Sequence, residues 1–525
     1  MSRDEYTIPN DYRYLDDNVA SLPVDHYQQK SIEDERRRPN RAAHDAYSTP
    51  ANYGNLDEVT APSPVDLRPH NSLEHEMSQS WSRRGRRSMA KAIIPRSRDR
   101  PWEHNASRAQ AQYRRDSHMP SDDSHMPATE PMRPLVQNER ASKFATELYT
   151  VSYLVFFSIF GTLARLGLQW LTFYPGAPVE FSVLWANFSG SLLMGFLSED
   201  RQLFREEWGK PTSNWPEKVA KDDEEKALAA AKTAHAKVKK TIPLYIGLTT
   251  GFCGSFTSFS SFIRDVFLAL SNNLTTPINH PYTGTAPSTS STVHRDGGYS
   301  FMALVGIIII TLGVCMSALK IGAHLAFALN PYAPTFSYRF TRHLVDNLAV
   351  FLGWGCWVGA IFMSIWPPDR PGGPEARPGG WAAETWRGQA VFACVFAPLG
   401  CLMRFYASLK LNGIAPAFPL GTFAVNIFGT AVLGMAYDLQ HVPLGRQANV
   451  AGGGRVGCQV LQGIMDGFCG SLTTVSTWVV ELSTLRRGHG YVYGTVSVGV
   501  ALGLLVVIMG SVRWTTGFSV PACVT

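Results

Sequence analysis

The chain has 525 residues, 48 Lys+Arg against 42 Asp+Glu, and a mean hydropathy of −0.06. That average hides two unlike parts: residues 1–146 hold 22 Lys+Arg and 22 Asp+Glu with no long apolar run, while residues 147–525 hold 26 against 20 and carry repeated apolar stretches. Stretches of about 20 apolar residues span a bilayer, which excludes a soluble multidomain enzyme. A net charge of +6 on a mostly apolar chain likewise excludes nucleic acid as the main partner.

Residues 1–145 are expected to form a disordered cytosolic tail. They are rich in Arg, Asp, Ser, Pro and His, with DSHMP at 116–120 and again at 123–127. Such a segment cannot bury enough apolar surface to offset its chain entropy. No signal peptide is expected, since the first apolar run lies far inside the chain. The basic cluster at 83–100 is either a solvated stretch or a contact for anionic lipid, where each Lys/Arg near the surface contributes roughly 1 kcal/mol. In the second case Ser88, behind Arg86 and Arg87, would be a kinase site that weakens the contact.

Nine spans follow, at 147–172, 180–198, 242–271, 300–328, 344–366, 388–411, 417–438, 459–485 and 491–512. They are too long and too uniformly apolar for barrel strands, so the fold class is an all-α integral membrane protein. The connection at 199–241 is charged, and 221–240 is expected to be a helix outside the membrane. Loops 272–299 and 367–387 are expected to be flexible. The Lys/Arg bias of the loops, led by Arg339, Arg342, Arg486 and Arg487, puts the N-terminus in the cytosol. Eight Cys lie mostly inside apolar runs without a CxxC pair, so they are expected to be small buried hydrophobes rather than a disulfide framework.

The strongest signal is self-similarity. GTLARLGLQWL (161–171) matches GCLMRFYASLK (400–410), WANFSGSLLMG (185–195) matches FAVNIFGTAVLG (423–434), and GFCGSFTSFSSF (251–262) matches GFCGSLTTVSTW (467–478). Arg165 to Asn187 and Arg404 to Asn426 are both 22 residues. The third block lies 23 residues further on in the first copy, which is room for the charged helix. The repeats are 146–330 and 388–512, with the odd span 344–366 between them. An odd linker inverts the second repeat, and inverted repeats place a site near the midplane.

The third span of each repeat is polar in its middle and is expected to break there, which is tolerated only where freed backbone groups are satisfied. Two such segments crossing would offer carbonyls to one small cation. Asn187 and Asn426 are buried amides, either in interhelical hydrogen bonds or as donors to an anion. Phe259 and Phe262 lie on one helix face. They are either packing residues or ring edges, electropositive, that face an anion. Thr257, Ser258 and Ser261 extend a hydroxyl track, with Thr474 and Thr477 as counterparts of Ser258 and Ser261. Arg165 and Arg404 are either snorkelling or functional cations within the membrane. Asp265 and Glu481 correspond between the repeats. Asp346, Lys320, His324 and Asp466 have no ionisable match and are assigned structural roles. No nucleotide-binding, catalytic or metal-spaced motif is present in the sequence.

Together these blocks resemble the fluoride channel/exporter family, the bacterial CrcB/Fluc proteins and the eukaryotic FEX proteins, in the fused fungal style. The resemblance covers about 147–512. It implies a passive fluoride channel of the plasma membrane acting as a single chain, an internal pseudo-dimer. Asn187 and Asn426 would be pore amides and Phe259 and Phe262 pore phenylalanines. Gly254, Thr257, Gly470 and Thr473 would give carbonyls to a structural Na⁺, and Arg165 and Arg404 would match the first-span arginine. Val475 and Trp478 stand where the second repeat should have phenylalanines, so one pore is expected to conduct and the other to be degenerate. An ion-coupled transporter for small anions is the alternative, and the tail is expected to be dispensable for function.

Overall fold

In the computed structural model of the chain, the described residues are Tyr53, 136–200, 202–204, 239–277, 290–291, 296–337, 340–366, 385–442, 454–521 and Cys523. The basic cluster 83–100 with Ser88, nearly all of the expected helix 221–240, and the loop 367–384 lie outside them.

The chain is an all-α membrane protein. Helix α1 (Val136–Thr172) is followed by α2 (Val183–Glu199). The third segment of the first repeat is a string of short pieces: α3 (Pro243–Ile246), a π-helical stretch Gly247–Cys253, α4 (Gly254–Phe256) and α5 (Phe259–Leu270). Helix α6 (Gly297–Leu329) closes that repeat, and α7 (Asp346–Ile365) is the linker. The second repeat runs α8 (Thr385–Leu411), α9 (Leu420–His441), α10 (Gly454–Gly463), a π-helical stretch Ile464–Cys469, α11 (Gly470–Leu472), α12 (Ser476–Thr484) and α13 (Arg487–Thr515).

Among the described residues, six helices are long and apolar enough to cross a membrane: α1, α6, α7 with its preceding turn, α8, α9 and α13. The other three predicted spans are of a different kind. Helix α2 has 17 residues, the short end of what a bilayer needs. The remaining two are the interrupted segments, whose Gly and Ser/Thr content keeps each piece short.

Small residues set the helix crossings, as packing in lipid demands. Helices α2 and α6 pack along each other. A Cβ on Gly195 would sit 2.0 Å from the Leu319 carbonyl oxygen, and one on Gly322 would sit 1.9 Å from that of Leu192. The linker α7 packs on α1 and α8 and buries only Asp346, Ala349 and Gly353. Asp346 accepts a hydrogen bond from Tyr153 (2.8 Å), in line with its structural assignment.

Three features depart from the sequence expectations. First, helix α1 begins at Val136, inside the segment assigned to the tail. Tyr53 is buried in a cluster with Leu154, Ile246, Cys401, Phe405 and Leu409, edge-to-face with Phe405 at 5.5 Å. An aromatic anchor in a polar segment carries no periodicity to announce it. Second, the loop 272–299 contains a short antiparallel pairing, Thr276–Pro277 with Ser290–Ser291. Third, Cys458 and Cys523 form a disulfide, which corrects the assignment of all eight cysteines as free. The other six are free, five of them buried. The bond ties the start of α10 to the chain beyond α13. Replacing both cysteines with serine should lower stability by about 2–4 kcal/mol, read as a drop in thermal midpoint that reductant reproduces in the unmodified protein.

Candidate functional site

Each interrupted segment stops at a threonine with extended backbone, Thr257 (φ −93°, ψ 150°) and Thr473 (φ −93°, ψ 148°). A helix that stops and restarts inside the membrane leaves amides and carbonyls without ladder partners. The structure satisfies them in three ways, each used twice.

The first is the asparagine. Asn187 Oδ1 accepts from the Ser258 amide (2.8 Å), and its Nδ2 donates to the Ser258 carbonyl (3.4 Å). Asn426 does the same at Thr474, at 2.9 and 3.3 Å. Of the two roles open in the sequence, the interhelical hydrogen bond is the one seen here. The amide stands in for the missing turn of helix. The glycine three residues on permits the approach: a Cβ on Gly190 or Gly429 would lie 2.4 Å from the methyl of Thr257 or Thr473.

The second is the threonine hydroxyl, which reaches across to the other repeat. Thr257 Oγ1 accepts from the amides of Val475 and Ser476, both at 3.2 Å. Thr473 Oγ1 accepts from the amide of Ser260 at 3.0 Å. Each break therefore caps the N-terminus of the helix that restarts in its counterpart, the job an N-cap side chain ordinarily does within one helix. Ser258 adds a local cap by accepting from Ser261.

The third is the arginine pair. Arg165 is fully buried and Arg404 is 3% exposed, so neither snorkels. Arg165 Nη1 donates to the carbonyls of Ser255 (2.5 Å) and Gly470 (2.9 Å), and Nη2 donates to the Asp466 carbonyl. Arg404 donates to the carbonyls of Ser471 (3.0 Å) and Thr250 (2.7 Å). Each arginine thus spans both repeats. Gly254 and Gly470 make room, because a Cβ there would fall 1.8 Å and 2.2 Å from the opposing guanidinium.

Around this crossing the helices interleave. Helix α5, which carries Phe259 and Phe262, packs against α9 with Asn426, whereas α12, which carries Trp478, packs against α2 with Asn187. The rings meet in a chain. Phe262 lies 5.9 Å from Phe259, and Phe259 lies 5.1 Å from Trp478, both edge-to-face, and all three are fully buried. Ser258, Ser261, Thr474 and Thr477 are buried beside them. The Trp478 Nε1 is buried with no hydrogen-bond partner among the described residues; nothing in the sequence signalled it. The paired carboxylates are both occupied: Asp265 holds Arg264 (2.9 Å), and Glu481 accepts from Thr422 (2.5 Å) and Tyr493 (2.7 Å). Asp466, assigned a structural role, accepts from Gln462 and gives its carbonyl to Arg165.

The expected sodium site meets a mixed fit. The carbonyls of Thr257 and Thr473 leave the helical ladder at the breaks and suit a hard cation. The Gly470 carbonyl already accepts from Arg165, and the Arg404 guanidinium crowds Gly254.

A polytopic α-helical membrane protein with two matching interrupted segments at its centre is the class this geometry defines. The family model described as "CrcB-like protein, Camphor Resistance (CrcB)" matches residues 152–323 and 391–511. Fluoride export protein 1 of Neurospora crassa is 55% identical over 401 residues, 74% of this chain and 72% of that protein. Fluoride export protein 1 of Candida albicans is 32% identical over 365 residues, 69% of this chain and 79% of that protein. The fluoride-specific ion channel FluC of Pseudomonas aeruginosa is 34% identical over 127 residues, 23% of this chain but 91% of that protein. No solved structure matches. The chain belongs to the CrcB-like family, among the fungal proteins named fluoride export proteins.

Arg165→Met or Arg404→Met removes charge-assisted bonds contributing about 1.5–3 kcal/mol each and leaves buried carbonyls unpaired. Either substitution should cost several kcal/mol and lower the yield of monodisperse protein, measured by size exclusion and thermal unfolding in detergent. A conservative lysine should rescue only in part, since it lacks the fork.

Proposed function

We propose that the protein is a passive fluoride channel of the plasma membrane that lets F⁻ leave the cytosol. The observation that carries this is the buried edge-to-face pair Phe262–Phe259 set among serine and threonine hydroxyls, with no carboxylate in Thr257–Phe262. Ring edges and hydroxyl hydrogens are positive and face an anion favourably, and a stretch without a carboxylate does not repel it. The relatives' names supply the anion: fluoride export proteins at up to 55% identity, and a fluoride-specific channel. A negative-inside potential drives an anion outward by about 2.3 kcal/mol per charge per 100 mV.

In this reading nine spans place the N-terminus inside and the C-terminus outside, with the second repeat inverted in the membrane and the functional unit a single chain. The Cys458–Cys523 disulfide supports that orientation. It joins the segment after α9 to the segment after α13, both on the outer side by parity, and disulfides persist in oxidising surroundings. The working pathway runs along α5 and α9, with Phe259, Phe262 and Asn426. The one along α12 and α2, with Val475, Trp478 and Asn187, is degenerate. A sodium ion held by the Thr257 and Thr473 carbonyls would supply fixed positive charge at the midplane.

Purified protein in liposomes should release fluoride but not chloride, at a rate set by membrane potential and unmoved by a pH or Na⁺ gradient. Flux that follows either gradient points instead to an ion-coupled transporter, and absence of fluoride flux overturns the proposal. The rings test the single pathway better than the amides do, because each asparagine also holds a break together. Phe262→Leu should lower flux per folded protein at least tenfold and Trp478→Leu less than threefold; equal loss would rule out one working pathway.

A further inference from the structure

We propose that a crevice between α6 and α13 is a binding site for one anionic phospholipid of the cytosolic leaflet. The crevice has a volume of about 1010 Å³ and is walled by Ile308, Leu312, Met316, Leu319, Val498 and Leu502. None of these side chains belongs to the ring chain or to the arginine crossing. The groove is apolar along its length and changes character at one end only. There Lys320 and His324 from α6 and Arg487 from the start of α13 line it, with Glu199 from the end of α2 the one carboxylate among the described lining residues. Lys320, His324 and Arg487 are exposed, and none of them makes a hydrogen bond or ion pair among the described residues. Among the described residues, two cationic side chains and an imidazole therefore face one acid at the mouth of an oily groove.

The dimensions select the occupant. Arg487 and Leu502 lie on one helix, so the lined length is about 22 Å at 1.5 Å per residue. One leaflet with its headgroup is about 20–22 Å thick, half of the whole bilayer. A phospholipid placed there would lay an acyl chain along Ile308, Leu312 and Leu502 and set its phosphate among Lys320, His324 and Arg487. A zwitterionic lipid brings its own cation to that mouth, whereas an anionic lipid brings net negative charge to match. The end of α6 and the start of α13 share this mouth, and the orientation proposed above makes it cytosolic, the side where anionic lipids lie. Only the naming of the leaflet rests on that orientation, and the site itself does not depend on the transported ion.

The test uses the full chain, purified in detergent and equilibrated with equal amounts of phosphatidylserine and phosphatidylcholine, with retained lipid counted by native mass spectrometry. One phosphatidylserine per chain is expected, favoured at least tenfold over phosphatidylcholine. Lys320→Gln with Arg487→Gln should abolish that preference while leaving fluoride flux and elution volume unchanged. Gly499 lines the groove, and a Cβ there meets nothing within 4 Å, so Gly499→Phe projects a ring into the crevice without touching the cations. It should reduce retention of either lipid at least fivefold. Equal retention of the two lipids by the unmodified protein, or undiminished preference in the double glutamine variant, overturns the proposal.

Discussion

A buried peptide group without a partner costs several kcal/mol, and this fold places two helix breaks at its buried centre. Everything near the centre answers that constraint. The breaks are satisfied by groups from both repeats. Asn187 and Asn426 supply a local amide to each. Thr257 and Thr473 supply a cap to the other's helix. Arg165 and Arg404 tie carbonyls of both repeats together. The centre is a mutual hydrogen-bond exchange, and rigidity there follows from the number of groups left stranded if any member moves.

That exchange also explains which residues have no freedom of size. Gly254 and Gly470 admit an arginine, and Gly190 and Gly429 admit a threonine methyl. These glycines are required by close approach rather than by backbone conformation, since among the described residues the glycines with left-handed backbone, Gly176 and Gly517, lie elsewhere. The rings are under a looser constraint. Phe259 and Val475 occupy matching places with very different shapes, yet both are fully buried. The repeats differ at these rings, where packing can be rebalanced, whereas the arginines, the asparagines, Thr257/Thr473 and the close-approach glycines match.

The centre was legible in the sequence because its residues repeat. Arg, Asn and the GFCG block recur with equal spacing, and an interrupted segment could be read from Gly and Ser/Thr at bilayer depth. What each polar group touches was not legible. Thr257 is expected to extend a hydroxyl track; its hydroxyl accepts from the amides of Val475 and Ser476 and lies 3.1 Å from the hydroxyls of Thr474 and Ser476. For Arg165 the sequence leaves snorkelling open, and its full burial excludes that. The Cys458–Cys523 bond leaves no local mark, because the two residues are 65 apart in sequence and belong to no CxxC pair. Tyr53 was missed because one aromatic in a charge-balanced segment has no period. Pairings that depend on three-dimensional closure leave no local mark.

The reciprocal arginine contacts bear on how the chain is made. Arg404 lies 154 residues after the Thr250 carbonyl to which it donates. At a synthesis rate of about 5–20 residues per second, the first repeat waits roughly 8–30 s between emergence of its broken segment and arrival of the side chain that satisfies it. During that interval the exposed carbonyls of a half-made protein sit in or beside lipid. The first repeat is thus a natural client for whatever shelters polar segments at the insertion machinery, and its assembly is complete only when the second has been inserted.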